Sequence, residues 1–344
     1  MVIYVPNTAC MDKKVGNILK YLLSALVAAA LLYLSFRQVK WDDFIRQLSS
    51  CRWGWIAVSM LAGVMAFWLR AIRWRQLVLP LDETVTRLKM FNAVNIGYLA
   101  NFAFPRAGEF VRCGVVSSSS SKATYEKVLG TVALERSWDL VSMLFLLVTL
   151  LVARWKKFGD FFLNQIWEPA SERLDFSLWW IVGLGIALVF AAGILIWKLR
   201  ERNTFCSKIY KILCGLADGF TSFARMSSLN KFRFLADTVL IWGMYWVMAV
   251  ATMRAVPQLE TLTLVDALFL SLAGSLGWVV PVPGGFGSFH FIVSLALSSI
   301  YALPFSQGMV FATLSHESQS VTMILFGAIS LAIEFFRKNR STQL

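Results

Sequence analysis

Long apolar runs alternate along this chain with short clusters of polar and basic residues. Crossing about 30 Å of hydrocarbon takes roughly 20 helical residues. Runs of about that length read as spans at 17–36, 53–69, 125–152, 177–198, 232–253 and 306–336. The 53–69 run is short and aromatic at both ends, so it ends where Arg70 begins a basic flank. The runs at 125–152 and 306–336 exceed one crossing, which predicts an amphipathic or tilted first turn.

Two further apolar stretches, 89–117 and 262–302, break on a common pattern: a Pro, a Gly three residues later and a Phe two after that. Pro105 falls on Pro281, Gly108 on Gly284 and Phe110 on Phe286. The arms, of about 14–18 residues, are short for independent spans and predict two re-entrant hairpins. Broken backbone at membrane depth leaves N–H and C=O groups unpaired, and is tolerated only inside protein or beside a wet cavity. Paired interruptions in two halves of a chain point to a transporter's binding site.

The expected fold is an all-α polytopic membrane protein of about six full spans plus two broken hairpins. The order span, span, hairpin, span occurs twice. Three crossings per half turn the second half upside down, an inverted repeat whose first hairpin enters from the cytoplasm and whose second enters from outside. The resulting segments are a cytoplasmic start at 1–16, a first repeat at 17–153 and an extracytoplasmic loop at 154–176. A second repeat at 177–336 and a cytoplasmic tail at 337–344 follow. Glu135 lies 182 positions before Glu317, at the matching place in each repeat.

Composition narrows the class. Hydrophobic residues make up 58% of 344, charged residues 15%, and mean hydropathy is +0.63, which excludes a soluble enzyme. Lys and Arg number 33 against 20 Asp and Glu, a formal charge of +13. On a membrane protein this excess belongs to cytoplasmic loops facing anionic headgroups, not to nucleic acid. With the N-terminus inside, Lys and Arg divide 21 to 9 in favour of the inner loops, counting Arg70, Arg73 and Arg75 among them. That predicts the cytoplasmic (inner) membrane with both termini cytoplasmic. The basic linker 200–231 reads as a surface helix on anionic lipid, and Ser117–Ser121 as a solvated loop. Met11-Asp12-Lys13-Lys14 reads as the true start, with no cleavable signal before it. Five cysteines without C-x-x-C spacing and only two histidines predict no metal site. No cofactor or catalytic motif is expected either.

Six ionisable residues gather in or after the first hairpin: Arg106, Glu109, Arg112, Glu135, Arg136 and Asp139. Unpaired at a helix centre, each costs about 2.5–3.5 kcal/mol, so they must pair, reach the interface or line water. Glu109 and Arg112 are spaced i,i+3, and Glu135 and Asp139 i,i+4, each pair on one helical face. Asn101 adds a polar group to the incoming arm. Two readings stand. In one, these are structural ion pairs locking the hairpin to the next helix. In the other, Arg106 and Arg112 clamp a phosphate, helped by free N–H groups at the helix start, with Glu109 and Glu135 as counterions. At the second break, Pro283, Gly284, Gly285 and Gly287 give a turn with exposed amides. His290, His316 and Glu317 are its candidates for proton coupling, against a structural reading as hydrogen-bonded histidines.

At Asn101–Arg112 (N-x-x-x-P-R-x-G-E-x-x-R), Glu135-Arg136-x-x-Asp139 and Pro283-Gly284-Gly285-x-Gly287, the sequence resembles the lysylphosphatidylglycerol synthase transmembrane family over nearly its whole length. The resemblance implies movement of lipid headgroups across the cytoplasmic membrane. Bifunctional relatives add a soluble aminoacyl-transferase domain; this chain stops at Leu344, so synthase activity is not expected. Many relatives carry a Glu where His290 stands, implying a different ion or proton dependence here. The expected function is a flippase-like transporter of an anionic phospholipid or a polyprenyl-phosphate-linked lipid. The rivals are a membrane-embedded transferase on a lipid-linked donor and a non-catalytic partner of an envelope lipid-modifying enzyme. A homo-oligomer is compatible with either.

Overall fold

The computed structural model describes residues 26, 29, 30, 32, 33, 36, 37, 39, 41–120, 122–163, 168, 176–280 and 282–341. Most of the expected span at 17–36 lies outside these residues, as do the start at 1–16, Pro281 and most of the loop after 163.

The described residues are helical, with no strand among them. In chain order the helices are α1 (Trp41–Ser49), α2 (Trp53–Val78), α3 (Arg87–Ala103), α4 (Gly108–Ser117) and α5 (Tyr125–Ala153). Then follow α6 (Trp155–Phe162), α7 (Phe176–Leu199), α8 (Thr204–Phe220), α9 (Ser222–Arg225) and α10 (Ser228–Ala255). The last are α11 (Leu264–Val279), α12 (Ser288–Tyr301) and α13 (Phe305–Ser341). Among the described residues, five segments are long and apolar enough to cross a membrane: Trp53–Val78, Tyr125–Ala153, Ser228–Ala255, Pro283–Tyr301 and Phe305–Arg337.

One boundary differs from expectation in a way that matters. α2 does not stop at Leu69 but runs on to Val78. Its apolar face continues through Ala71, Trp74, Leu77 and Val78, all essentially without solvent exposure. Arg70 and Arg73 are buried with that face, so they are not the solvated inner-loop cations expected from sequence. The linker 200–231 is also more integrated than a free surface helix, because α8 packs along α5. In the serine run, Ser120 is tied down: its hydroxyl donates to Asp82 and accepts from the Ala123 amide.

The chain divides into two compact units, and each draws on both halves of the sequence. The first comprises Met1–Gly63, Asn95–Gly108 and Tyr245–Phe335; the second comprises Val64–Val94, Glu109–Met244 and Phe336–Leu344.

In the first unit, α11 and α12 form a helical hairpin. At 1.5 Å per residue the 16 residues of α11 reach about 24 Å, short of a 30 Å hydrocarbon core, and the 14 residues of α12 about 21 Å; the second arm attains membrane length only with the turn from Pro283 counted in. Its base is closed by one carboxylate. Asp266 accepts from the Thr263 amide and hydroxyl at 2.8 and 2.9 Å, a capping box that starts α11. Its other oxygen accepts from the Tyr301 hydroxyl, at the end of α12, at 2.8 Å. The tip is the glycine turn: Gly284, Gly285 and Gly287 all have left-handed φ. Gly284, at φ +56°, also has no room for a Cβ, which would sit 2.9 Å from the Phe102 ring.

The other break ends α3 at Ala103 and restarts as α4 at Gly108. Arg106 adopts φ +63°, an uncommon left-handed conformation for a non-glycine residue. Asn101 Oδ1 accepts from the Gly108 amide at 2.8 Å, satisfying one orphan donor of the new helix. A Cβ on Gly108 would lie 2.1 Å from the Gly97 carbonyl oxygen, so only glycine lets the chain restart so close to the incoming arm. The two aligned glycines thus do different jobs: Gly284 supplies a left-handed turn, and Gly108 supplies space.

In the second unit, Asp82 precedes α3 and accepts from the Thr84 amide at 2.9 Å and the Thr84 hydroxyl at 2.7 Å. It also accepts from Ser120, just after α4, so a carboxylate closes the base here too. Trp138, Phe223 and Phe234 pack ring on ring, joining α5, α9 and α10.

Candidate functional site

The second unit holds a buried ion cluster on three helices. α2 presents Arg70 and Arg73, spaced i,i+3; α4 presents Arg112; α5 presents Glu135, Arg136 and Asp139. Glu135 is fully buried at the centre. Its Oε1 lies 2.9 Å from Arg70 Nη2, 3.3 Å from Arg73 Nη2 and 3.4 Å from Arg136 Nη2. Its Oε2 lies 2.8 Å from Arg112 Nη1. Asp139 takes Arg70 at 3.0 Å, Arg136 at 3.6 Å, and a further donor from Arg73.

Uncharged neighbours position the guanidiniums. Arg73 Nη1 donates to Thr238 Oγ1 at 3.2 Å, and its guanidinium stands 5.4 Å from the Phe234 ring centroid. Arg112 lies over the Trp74 ring at 4.5 Å, a cation–π distance. Trp74 is itself held by donating to Thr131 Oγ1 at 2.9 Å.

Charge does not balance in this group. Four guanidiniums face two carboxylates, a surplus of two positive charges among these six residues. Glu109, three positions before Arg112, lowers the surplus to one if it is counted, yet its Oε2 is buried with no hydrogen-bond partner. Arg112 Nη2 is likewise buried and bonded to nothing. The group expected from sequence was three acids and three bases, able to be neutral. Arg70 and Arg73 change that arithmetic, and Arg106 belongs to the first unit.

In the first unit, Arg106 is exposed and donates to the backbone carbonyls of Trp278, at 3.4 Å, and Val279. These carbonyls end α11, where a helix dipole favours a cation. The break residues meet here as well, with the Phe102 and Phe286 rings 6.1 Å apart, edge to face. His316 Nε2 lies 2.8 Å from the Gly284 carbonyl oxygen, and Nδ1 lies 2.9 Å from Glu317 Oε1. His290 Nε2 lies 3.6 Å from the same carboxylate oxygen. Pro283, Gly285 and Gly287 shape this turn, and Asn101 spends its Oδ1 on Gly108.

Sequence reasoning missed Arg70, Arg73 and Trp74. The signal was present: buried-type residues at Phe67, Ala71, Trp74 and Val78 continue a helical stripe past Leu69, and the two arginines fall beside it.

An all-helical chain with several membrane-length helices and a buried ion cluster is a multi-pass membrane protein. It belongs to the lysylphosphatidylglycerol synthase TM region family, whose model matches residues 19–327. The family relates it to lipid modification or flipping. No curated protein and no solved structure matches the chain.

Proposed function

We propose that this protein is a flippase-like transporter that moves a phosphate-bearing anionic lipid headgroup across the cytoplasmic membrane. The observation that carries the reading is Arg112 Nη2, buried beside Trp74 without a hydrogen-bond partner, in a cluster where Arg70, Arg73 and Arg112 are buried around Glu135 and Arg136 is 38% exposed. A buried cation without a counter-charge is costly. Guanidinium is matched bidentately by phosphate oxygens, and an anionic headgroup supplies the missing charge. Arg112 offers the free donor, Arg70, Arg73 and Arg136 supply the field, and Glu135 and Asp139 take the guanidiniums back when the lipid departs.

The architecture proposed for this task is the inverted repeat with re-entrant hairpins entering from opposite faces and both termini cytoplasmic. Supporting it are the short arm α11 and the single carboxylate at each hairpin base. Arg106, bonded to carbonyls at the end of α11, is assigned to holding the first break in place.

Native mass spectrometry of lipids co-purifying with the protein tests this. Wild type retains an anionic phospholipid or a polyprenyl-phosphate lipid. Arg112→Gln retains about tenfold less, and Arg112→Lys falls between, keeping charge but losing the planar fork. An unchanged lipid complement in a folded Arg112→Gln protein contradicts the reading.

A further inference from the structure

We propose that His290, His316 and Glu317 form a binding site for a divalent transition-metal cation, with Zn2+ the ion that best matches the donors. This inference concerns the first unit alone and does not depend on the lipid reading.

The geometry favours positive charge between these groups. The Gly284 carbonyl can only accept, so His316 Nε2, 2.8 Å away, carries the ring proton. His316 Nδ1 then presents a lone pair, 3.4 Å from the Ser320 hydroxyl, and it faces Glu317 Oε1 more closely, at 2.9 Å. Two acceptors at that distance repel unless a cation sits between them. A shared proton would satisfy two atoms. Here a third, His290 Nε2, points at the same oxygen from 3.6 Å, and all three ligand atoms lie within 4.8 Å of one another. Around a tetrahedral Zn2+ with bonds of about 2.0–2.1 Å, neighbouring ligand atoms stand roughly 3.3 Å apart. The two spacings to Glu317 Oε1, 2.9 and 3.6 Å, bracket that value, and the two histidine nitrogens, within 4.8 Å of each other, draw closer when both bind one ion.

The surroundings fit the same assignment. Metal-ligating histidines usually donate their second N–H to a carbonyl or carboxylate, which fixes the tautomer and the ring. His316 does this through Gly284, the left-handed glycine of the turn. Its ring is held from both sides, stacked on Trp278 at 5.2 Å and met edge-on by Phe286 at 4.8 Å. Both imidazoles are buried, whereas the Glu317 side chain is 41% exposed. The three-ligand set is therefore shielded on the histidine side and open on the carboxylate side, leaving a coordination position for water or an anionic oxygen. Composition argued against a metal because the chain has only two histidines; α12 and α13 bring both to one carboxylate.

Full-length protein carrying an affinity tag without histidine is stripped with EDTA in detergent, loaded with Zn2+ or Co2+, and freed of excess ion by gel filtration. Bound metal is counted by plasma mass spectrometry, and Co2+ ligand-field absorption reports the coordination. Wild type retains about one ion per chain with a tetrahedral-type Co2+ spectrum. His290→Ala and Glu317→Gln each lower affinity about tenfold or more. Glu317→Gln is isosteric and half-exposed, so it keeps the test decisive if His290→Ala fails to fold. Wild type that retains no more metal than Glu317→Gln overturns the proposal, as does full retention by both variants.

Discussion

Arg112 Nη1 meets Glu135 Oε2 at 2.8 Å, while the other oxygen of the same carboxylate serves Arg70 and Arg73. One fully buried side chain therefore ties α4 to α2 through α5. Removing its charge takes one carboxylate contact from each of three buried guanidiniums, with Asp139 still facing Arg70 and Arg73. Breaking a buried pair from one side costs about 3–5 kcal/mol, so Glu135→Gln is expected to lower unfolding stability by that order. Asp139→Asn costs less, because its side chain keeps 19% exposure and water can replace part of its role. Thermal unfolding of both variants in one detergent checks the ranking; an equal or larger loss for Asp139→Asn contradicts it.

Gly108 and Gly114 lie in the same short helix, yet a Cβ means different things at each. At Gly108 it would meet the Gly97 carbonyl oxygen at 2.1 Å; at Gly114 nothing lies within 4 Å. Gly108→Ala is expected to cost about 1–3 kcal/mol by overpacking. Gly114→Ala is expected to be neutral or stabilising by up to about 1 kcal/mol, from helix propensity. Unfolding midpoints of the two proteins give the comparison directly.

Much of this organisation was legible from residues alone, for identifiable reasons. The turn of the second break could be placed because Pro283, Gly284, Gly285 and Gly287 suit no regular helix, and the chain does turn there with left-handed φ at all three glycines. Glu135 and Asp139 could be placed on one face by i,i+4 spacing. Arg70 and Arg73 read as a solvated flank, since a basic turn at the end of an apolar run usually meets the interface, and the buried stripe of Ala71, Trp74 and Val78 beside them goes unread. Their partners, Glu135 and Asp139, are more than 60 residues away in the chain. Arg106 shows the complementary limit. Its residue type suits phosphate, but its hydrogen bonds go to carbonyls some 170 residues on.

Asp82 offers a pH signature at a hairpin base outside the spans. Hydrogen bonds from Ser120, then from Thr84, hold its carboxyl below the usual carboxylate range. A carboxyl lowered on folding stabilises the fold above its unfolded pKa, and that stability is lost as pH falls through the folded value. Asp82→Asn is expected to cost about 1–2 kcal/mol near neutral pH. The gap from wild type closes as pH drops below about 3.9, the ordinary Asp value. Melting curves from pH 7 to pH 3 measure it; a gap that widens in acid is the opposite result.

Arg106 and Arg112 should separate in behaviour. Arg106→Gln removes a cation from the carbonyl end of α11 and is expected to cost about 1 kcal/mol of stability, with little change in retained lipid. Arg112→Gln is expected to lower lipid retention about tenfold, equivalent to about 1.4 kcal/mol of binding. Paired unfolding and lipid mass spectrometry on both proteins distinguish these outcomes.

The headgroup-transport reading is tested most directly by dithionite bleaching in proteoliposomes with a fluorescent anionic phospholipid in both leaflets. If the buried guanidinium cluster around Arg112 escorts headgroups across, wild type exposes inner-leaflet label that empty liposomes protect, and Arg112→Gln at equal protein content does not. Wild-type vesicles that protect the inner leaflet as fully as protein-free ones would contradict the account.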